Sequence, residues 1–322
     1  MGVVQAAAPP SGEQFEIVAG TQRATITEVG ATLRSYTVDG THVLDGFEVA
    51  EPSNAGRGQI LAPWPNRLED GRYTFEGVEG RAALDEPERG NAIHGLVRWL
   101  PWHVTSRSPS AVSLRCVLQP QPAYPWRLEL SVEFSIDDTG LTVATAASNR
   151  SDTAAPFGIG FHPYLTLGAS TIDDVHVTIP ARTRLEADER GLPTGDADVD
   201  GDFDFRAAKR IGRIELDTGY TDLTRSEDGR ARVDVDLAGG GRGLTLWADD
   251  TFDYLMIYTG HSLEPASRRR QGLAVEPMTC PPNAFRSGRD IVRLAPGGGW
   301  SGTWGIQPRS GLQRRTDLPV SS

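Results

Sequence analysis

Residues 127–136 read RLELSVEFSI, with an apolar side chain at every second position and a charged or polar one between each pair. Successive side chains of a β-strand point to opposite faces of a sheet. The alternation therefore predicts a strand with one buried face and one solvated face. The stretch VDVDL at residues 233–237 repeats the pattern.

Further short strands are expected on both sides of these two. We place them at residues 15–19, 24–29, 33–38, 112–118, 141–147, 244–248, 254–258, 290–294 and 301–307. Turn-forming pairs such as Asp39-Gly40, Asp70-Gly71 and Asp228-Gly229 lie among them. No apolar repeat with helical spacing extends beyond a turn or two. Many short strands separated by turns predict an all-β sandwich or barrel.

Composition excludes several classes of function. The chain has 322 residues, of which 32 are Lys or Arg and 43 are Asp or Glu, for a net charge of −11. This balance argues against a nucleic-acid partner and against an anionic membrane surface, because both need a basic face. No run of 18 apolar residues predicts a membrane span, and residues 1–12 do not resemble a signal peptide. We therefore expect a cytoplasmic protein.

No Pro- or Gly-rich linker divides the chain. We expect a tail at residues 1–13, one β-sandwich domain at 14–310 and a second tail at 311–322. Cys116 and Cys280 belong to no CxxC motif, so two reduced thiols are expected, although the sequence leaves their pairing open.

Segment 61–67, LAPWPNR, is the first of the polar clusters that interrupt the β pattern. Two prolines stiffen this loop, and Trp64 offers a flat apolar face. Asn66 and Arg67 supply several hydrogen-bond donors. This combination suits a ligand with many hydroxyl groups, although for the segment taken alone a structural turn with a surface arginine is the favoured explanation.

Two histidines and two carboxylates are the other candidates. His94 lies in NAIHGLVR at residues 91–98, and His162 lies in FGIGFHPY at residues 157–164. Glu276 ends the apolar stretch GLAVEPMT at 272–279, where a carboxylate is costly unless it is paired or serves as a base with a raised pKa. Asp217, in LDTGY at 216–220, is a weaker candidate. Each of these residues also has a purely structural explanation.

Common alternatives lack support in the sequence. There is no HxH or HxxxH pair, and Arg67 would repel a cation, so no metal is expected. The GxSxG motif of many serine hydrolases is absent. A glycosidase would need a second strong carboxylate beside Glu276. Proton transfer on a neutral, hydroxyl-rich substrate remains.

The short segments 65–67 (PNR), 93–95 (IHG), 160–163 (GFHP) and 274–277 (AVEP) together resemble the aldose 1-epimerases, or galactose mutarotases. The resemblance covers about residues 15–310. It implies a β-supersandwich, a large antiparallel sandwich with its site in a cleft on one face. It also implies interconversion of the α and β anomers of a free sugar without a cofactor.

The resemblance also implies roles for individual residues. Glu276 would take the proton of the C1 hydroxyl, and His162 would protonate the ring oxygen. His94 would bond near that oxygen and share the acid role. Arg67 and Asp217 would bind sugar hydroxyls. Asp222 competes with Asp217, which we prefer because the family places an aromatic residue three positions later, where Tyr220 stands.

One departure from the family opens an alternative. Arg98 follows His94-Gly95 closely and resembles the hexose-6-phosphate epimerase branch, so Arg67 and Arg98 together could clamp a phosphate. A sugar-binding module without catalysis is the alternative from another class. The identity of the sugar and the oligomeric state are open at this stage.

Overall fold

Short β-strands dominate residues 8–309, the part of the chain that the computed structural model describes. In chain order they are β1 (Gln14–Ala19), β2 (Gln22–Thr27), β3 (Leu33–Val38), β4 (Thr41–His42), β5 (Ile60–Leu61), β6 (Arg67–Glu69), β7 (Arg72–Phe75), β8 (Val78–Arg81), β9 (Asn91–Ile93), β10 (His103–Arg107), β11 (Ala111–Leu118), β12 (Leu128–Asp137), β13 (Gly140–Asn149), β14 (Ala155–Phe157), β15 (Gly160–Phe161), β16 (Tyr164–Leu165), β17 (Val175–Thr178), β18 (Ala181–Ala187), β19 (Pro193–Asp198), β20 (Lys209–Arg210), β21 (Asp217–Leu223), β22 (Ala231–Leu237), β23 (Gly243–Ala248), β24 (Tyr254–Tyr258), β25 (Leu273–Met278), β26 (Val292–Leu294) and β27 (Gly299–Arg309). The helices are a single α-helical turn, α1 (Ala284–Ser287), and 3-10 turns at Pro87–Arg89, Ile172–Asp174, Gly201–Phe203 and Ala266–Arg268.

The strand at the first alternating stretch is confirmed as β12. Its apolar side chains are buried, and Glu133 on its other face is exposed. Strand β22 buries Val233 and Val235 in the same way. The alternation in these two strands follows directly from the side chains that pack into the core.

Two large antiparallel sheets form the sandwich. The nine-stranded sheet has the order β10-β11-β12-β13-β27-β23-β22-β17-β20. The eight-stranded sheet has the order β19-β18-β21-β24-β25-β15-β5, with β16 also paired to β25. Strands β1–β4 form a separate four-stranded sheet, and three two-stranded ribbons pair β6 with β9, β7 with β8, and β14 with β26.

The hydrophobic core lies between the two large sheets. Phe161 of β15 packs against Trp304 of β27, with ring centroids 5.2 Å apart. Val275 of β25 and Leu246 of β23 belong to the same buried cluster. The predicted all-β antiparallel sandwich is therefore confirmed.

The strands that were predicted differ from the observed ones mainly at their ends. Strand β2 ends at Thr27, before the predicted limit of 29, and β26 begins at Val292 rather than at 290. The last strand, β27, is longer than predicted. Strands β4–β10 and β14–β21 were not predicted, and most of them are short. In β18 and β19 polar and partly exposed residues dominate, so the apolar alternation is weak.

Some predictions concern residues that the structure does not describe. Residues 1–7 of the predicted N-terminal tail and the predicted tail at 311–322 lie outside the described range. The domain limits and the cytoplasmic location stay predictions. None of the helices within residues 8–309 has the length and apolar character needed to cross a membrane. Cys116 and Cys280 are both buried and unpaired.

Candidate active site

The register of the eight-stranded sheet brings two predicted carboxylates to one face. Glu276 of β25 is paired with Met256 of β24, which is paired with Gly219 of β21. Residues directly opposite each other in antiparallel strands point to the same side. Asp217, two positions before Gly219, therefore shares this face with Glu276, whereas Val275 points into the core.

A short ribbon fixes the position of Arg67 and His94. Arg67 in β6 pairs with Ile93 in β9, and the backbone N–H of His94 donates to the carbonyl of Asn66 at 2.9 Å. Both Asn66 and His94 have positive φ, at 54° and 64°. Gly95 has φ of 69°, and a Cβ there would lie 2.1 Å from the carbonyl oxygen of Ala62. Only glycine permits this backbone approach.

His162 lies between β15 and β16 and is held by its own backbone. Its carbonyl accepts from the N–H of Gly58 at 2.9 Å, and its N–H donates to the carbonyl of Gln59 at 3.2 Å. Gly56 lies against the imidazole, since a Cβ there would come within 2.5 Å of Cδ2 of His162. The loop before β5 therefore forms one wall beside the histidine.

These elements enclose a cleft of about 550 Å³ that contains every predicted site residue. The set is Asn66, Arg67, His94, His162, Asp217 and Glu276. Asp222 does not line this cleft, and its carboxylate accepts from the hydroxyl of Thr183. A larger cleft of about 670 Å³ on the β1–β4 sheet contains none of the six. The volume of a cleft alone therefore does not identify the one that contains the predicted site residues.

The centre of the cleft is a buried pair formed by His162 and Glu276. Nε2 of His162 lies 3.3 Å from Oε1 of Glu276, and the two side chains are 6% and 2% exposed. Burial lowers the pKa of His162 to about 3 and raises the pKa of Glu276 well above its ordinary value. Both shifts favour the neutral forms, because burial removes water from the charged forms, and the negative charge of Asp217 raises the pKa of Glu276 further.

Three polar atoms, two in this pair and one beside it, are buried and have no hydrogen-bond partner among the described residues. They are Nδ1 of His94, Nδ1 of His162 and Oε2 of Glu276. The rings of His94 and His162 meet edge to face, with centroids 5.3 Å apart. Buried polar atoms are normally satisfied, so this group is suited to bind the oxygen atoms of a ligand.

Carboxylates neutralise both arginines that were considered as a phosphate clamp. Nε of Arg67 lies 2.9 Å from Oε2 of Glu86, and its Nη2 lies 3.4 Å from Oδ2 of Asp217. Nη2 of Arg98 pairs with Asp85 and donates to the carbonyl of Ile93. The guanidinium groups are thus already bound to acidic partners.

Several residues of the cleft were not singled out by the sequence. They are Glu86, Trp99, Tyr164 and Tyr258. Arg57 was not singled out either; it does not line the cleft but packs on the ring of Tyr164. Tyr164 ends the segment FGIGFHPY at residues 157–164 that the sequence analysis singled out for His162. Nothing in the sequence indicated that its ring stacks on the His162 ring, with centroids 4.9 Å apart. Trp99 is the most exposed large hydrophobic residue of the described chain, at 52%. Within residues 8–309, no group of His, Cys, Asp or Glu is placed to hold a metal ion.

The comparisons with known proteins agree with this geometry. The family described as Aldose 1-epimerase matches residues 13–307. This chain belongs to the aldose 1-epimerase family. An uncharacterized protein of Escherichia coli, YihR, is 35% identical over 289 residues, covering 89% of this chain and 90% of YihR. Human galactose mutarotase is 27% identical over 292 residues, covering 82% and 83% of the two chains.

Solved structures of the aldose 1-epimerase fold superpose well. The GalM/aldose epimerase homologue from C. elegans has a TM-score of 0.83 at 20% identity and covers 92% of this chain and 99% of its own. That likeness supports the fold. Family membership also makes this chain an isomerase, as galactose mutarotase is.

Proposed function

We propose that this aldose 1-epimerase interconverts the α and β anomers of a free hexose by opening and reclosing the pyranose ring. The observation that carries the proposal is the buried contact of 3.3 Å between Nε2 of His162 and Oε1 of Glu276, with a further polar atom on each residue that has no hydrogen-bond partner among the described residues. A single proton shared by a base and an acid is what ring opening requires.

The chemistry needs two proton transfers in each direction. The carboxylate of Glu276 takes the proton from the C1 hydroxyl, and the C1–O bond becomes a carbonyl as the bond from C1 to the ring oxygen breaks. The imidazolium of His162 gives its proton to that ring oxygen. Rotation about C1–C2 exposes the other face of the aldehyde, and reclosure reverses both transfers. The pair holds one proton throughout, on His162 before ring opening, on Glu276 in the open form and on His162 again after reclosure.

Burial prepares the pair for these transfers. The raised pKa of Glu276 and the lowered pKa of His162 make the carboxylate a better base and the imidazolium a better acid. The proton can pass between them across the 3.3 Å contact before the sugar reacts. A positioned acid and base each supply roughly 10²–10⁴ in rate, and mutarotation needs only a modest acceleration because it already proceeds in water.

The remaining polar groups are assigned to sugar binding. Arg67 and Asp217 lie together on one wall and would contact hydroxyl groups. Asn66 lies beside them, and His94 faces His162 near the expected position of the ring oxygen. Trp99 at the exposed rim would cover an apolar face of the ring, as aromatic side chains do at mixed polar and apolar ligands.

The charge balance of the cleft favours a neutral sugar over a hexose 6-phosphate. Three arginines line it, namely Arg67, Arg89 and Arg98. Four carboxyl groups also line it, namely Glu86, Glu88, Asp217 and Glu276. A phosphate dianion would have to displace carboxylates from Arg67 and Arg98.

A sugar-binding module without catalysis is also disfavoured. Burying a carboxyl group such as Glu276 costs stability, and sugar binding alone does not require it.

The test uses polarimetry to monitor the mutarotation of freshly dissolved α-glucose and α-galactose in a buffer that is itself a poor catalyst. Saturable acceleration that the Glu276→Gln variant lacks would support the free-hexose epimerase. Exchange NMR with glucose 6-phosphate and galactose 6-phosphate forms the second arm. Acceleration confined to the phosphates would contradict the neutral-sugar proposal. Sugar binding without acceleration in either arm would support the binding module instead.

A further inference from the structure

A buried arginine packs on the tyrosine ring that also stacks on His162, the proposed acid. The Arg57 side chain is only 2% exposed, and its guanidinium carbon is 4.8 Å from the centre of the Tyr164 ring. The same tyrosine ring lies nearly parallel to the imidazole of His162, at 16° and a centroid distance of 4.9 Å. Arg57 and His162 therefore both pack on Tyr164.

Asp45 and Asn54 hold the guanidinium in place. Nη2 and Nε of Arg57 lie 3.0 and 3.1 Å from Oδ2 of Asp45, and Nη1 donates to Oδ1 of Asn54 at 2.5 Å. The backbone N–H of Asp45 in turn donates to the carbonyl of Tyr164 at 2.9 Å. The hydroxyl of Tyr164 donates to the carbonyl of Ala55 at 3.0 Å, which closes the cluster.

A buried ion pair of this kind is not explained by stability alone, because desolvation offsets much of the attraction between its charges. Its location is informative, since it contacts the aromatic ring that supports the imidazole. We propose that Arg57 and Asp45 are positioning residues that fix the plane of the His162 ring through Tyr164 and set the electrostatic field at that ring. The inference deepens the proposed epimerase function and rests on it.

The field at His162 has several sources, which face it from different elements. They are Glu276 on β25, His94 after β9, Tyr164 on β16, Arg57 before β5 and Arg98 after His94. The positive charge of Arg57 disfavours the imidazolium. Asp45 offsets part of that charge, and its Oδ1 also lies 3.3 Å from Nη2 of Arg268. Removing the charge of Arg57 should therefore raise the proton affinity of the His162–Glu276 pair. Removing the charge of Asp45 should lower it.

The experiment compares pH profiles of kcat/KM for mutarotation in Arg57→Met, Asp45→Asn and the double variant. Activity requires the pair to hold one proton, so the profile is a bell with two limbs that belong to the pair as a whole. Arg57→Met should move both limbs to higher pH by about 0.5–1 unit, and Asp45→Asn should move both to lower pH by a similar amount. The double variant should return the limbs toward their original positions.

Two further variants separate positioning from folding. Arg57→Lys keeps the charge but loses the planar group over Tyr164, so the limbs should stay in place while kcat falls about 10-fold to 100-fold. Asp253→Asn breaks a matched Arg–Asp pair, with Arg225, that does not line the cleft, and it should leave the profile unchanged. Limbs that move in the same direction for Arg57→Met and Asp45→Asn, or that do not move, would overturn the proposal.

A readout that needs no activity distinguishes this inference from the epimerase function. The Cε1 proton of His162 can be assigned by its loss in His162→Asn, and it experiences the ring current of Tyr164. Its NMR resonance at pH 7.5 should shift in Arg57→Met and Arg57→Lys but not in Asp253→Asn. An unchanged resonance would contradict the positioning role. Failure of the unmodified protein to accelerate mutarotation would contradict the proposed function instead.

Discussion

Oδ2 of Asp217 lies 3.4 Å from Nη2 of Arg67, although the two residues are 150 positions apart in the chain. Asp217 begins β21 in the eight-stranded sheet, whereas Arg67 begins β6 in a separate two-stranded ribbon. The contact joins these two elements at one wall of the cleft that also holds His162 and Glu276. It presents a hydrogen-bond donor and an acceptor side by side, which is an arrangement suited to a pair of adjacent sugar hydroxyls.

The first prediction concerns Asp217. Asp217→Asn should raise KM for the accepted hexose by about 10-fold to 100-fold, because a hydrogen bond to a charged group contributes about 1.5–3 kcal/mol. Initial mutarotation rates over a range of sugar concentrations measure this change. Asp222→Asn is the matched control on the same strand, and its KM should match that of the unmodified protein because Asp222 bonds Thr183 outside the cleft. The reverse result would assign sugar binding to Asp222.

The second prediction concerns the proposed base. Glu276→Gln should lower kcat by about 10²–10⁴ because an amide cannot accept the C1 proton. The raised pKa of Glu276 makes the folded state less stable as pH rises above the ordinary carboxyl range, so the glutamine variant should also have the higher Tm at pH 8. Its advantage should shrink at pH 4. Glu133→Gln, on the exposed face of β12, should change neither property, and full activity in Glu276→Gln would eliminate the assigned base.

The third prediction concerns the stability of the protein in acid. His162 has a folded-state pKa of about 3, whereas an unfolded histidine titrates near 6.5. Between these values the unfolded state binds the extra proton, so stability falls as pH drops, by up to about 1.4 kcal/mol per pH unit. His162→Asn should lose less stability between pH 6.5 and 4.5. Urea unfolding at both pH values measures this, with the exposed His103→Asn as control, and identical slopes in all three proteins would contradict the prediction.

The fourth prediction concerns the exposed rim of the cleft. Trp99→Ala should raise KM by about 2-fold to 10-fold with little change in kcat, because an aromatic contact contributes about 0.5–1.5 kcal/mol. Val104→Ala removes another exposed apolar side chain, 40% accessible and not part of the cleft, and should leave KM unchanged. A loss of kcat at constant KM in Trp99→Ala would show that Trp99 acts on the transition state rather than on sugar binding.

The class of fold could be predicted from the sequence, because the alternation of apolar and polar side chains along a strand is a local pattern. In residues 128–136, apolar side chains are buried and the side chains between them are more exposed, so the pattern is visible within one short segment. Edge strands such as β19 escaped prediction, since a mostly exposed strand needs no apolar period. The motifs around His94, His162 and Glu276 were recognisable because each is a short continuous segment with unusual chemistry in a β context.

The tertiary structure decided how those segments meet. The register of Met256 between Gly219 and Glu276 places Asp217 in the cleft, whereas Asp222 on the same strand lies outside it. Pairing of Arg98 with Asp85 is likewise set by loops that come together in space. Sequence alone thus determined the strands with a strong apolar alternation and the reactive side chains, because burial acts on each short segment. Strand register and charge pairing depend on contacts between distant segments, so only the folded chain could determine them.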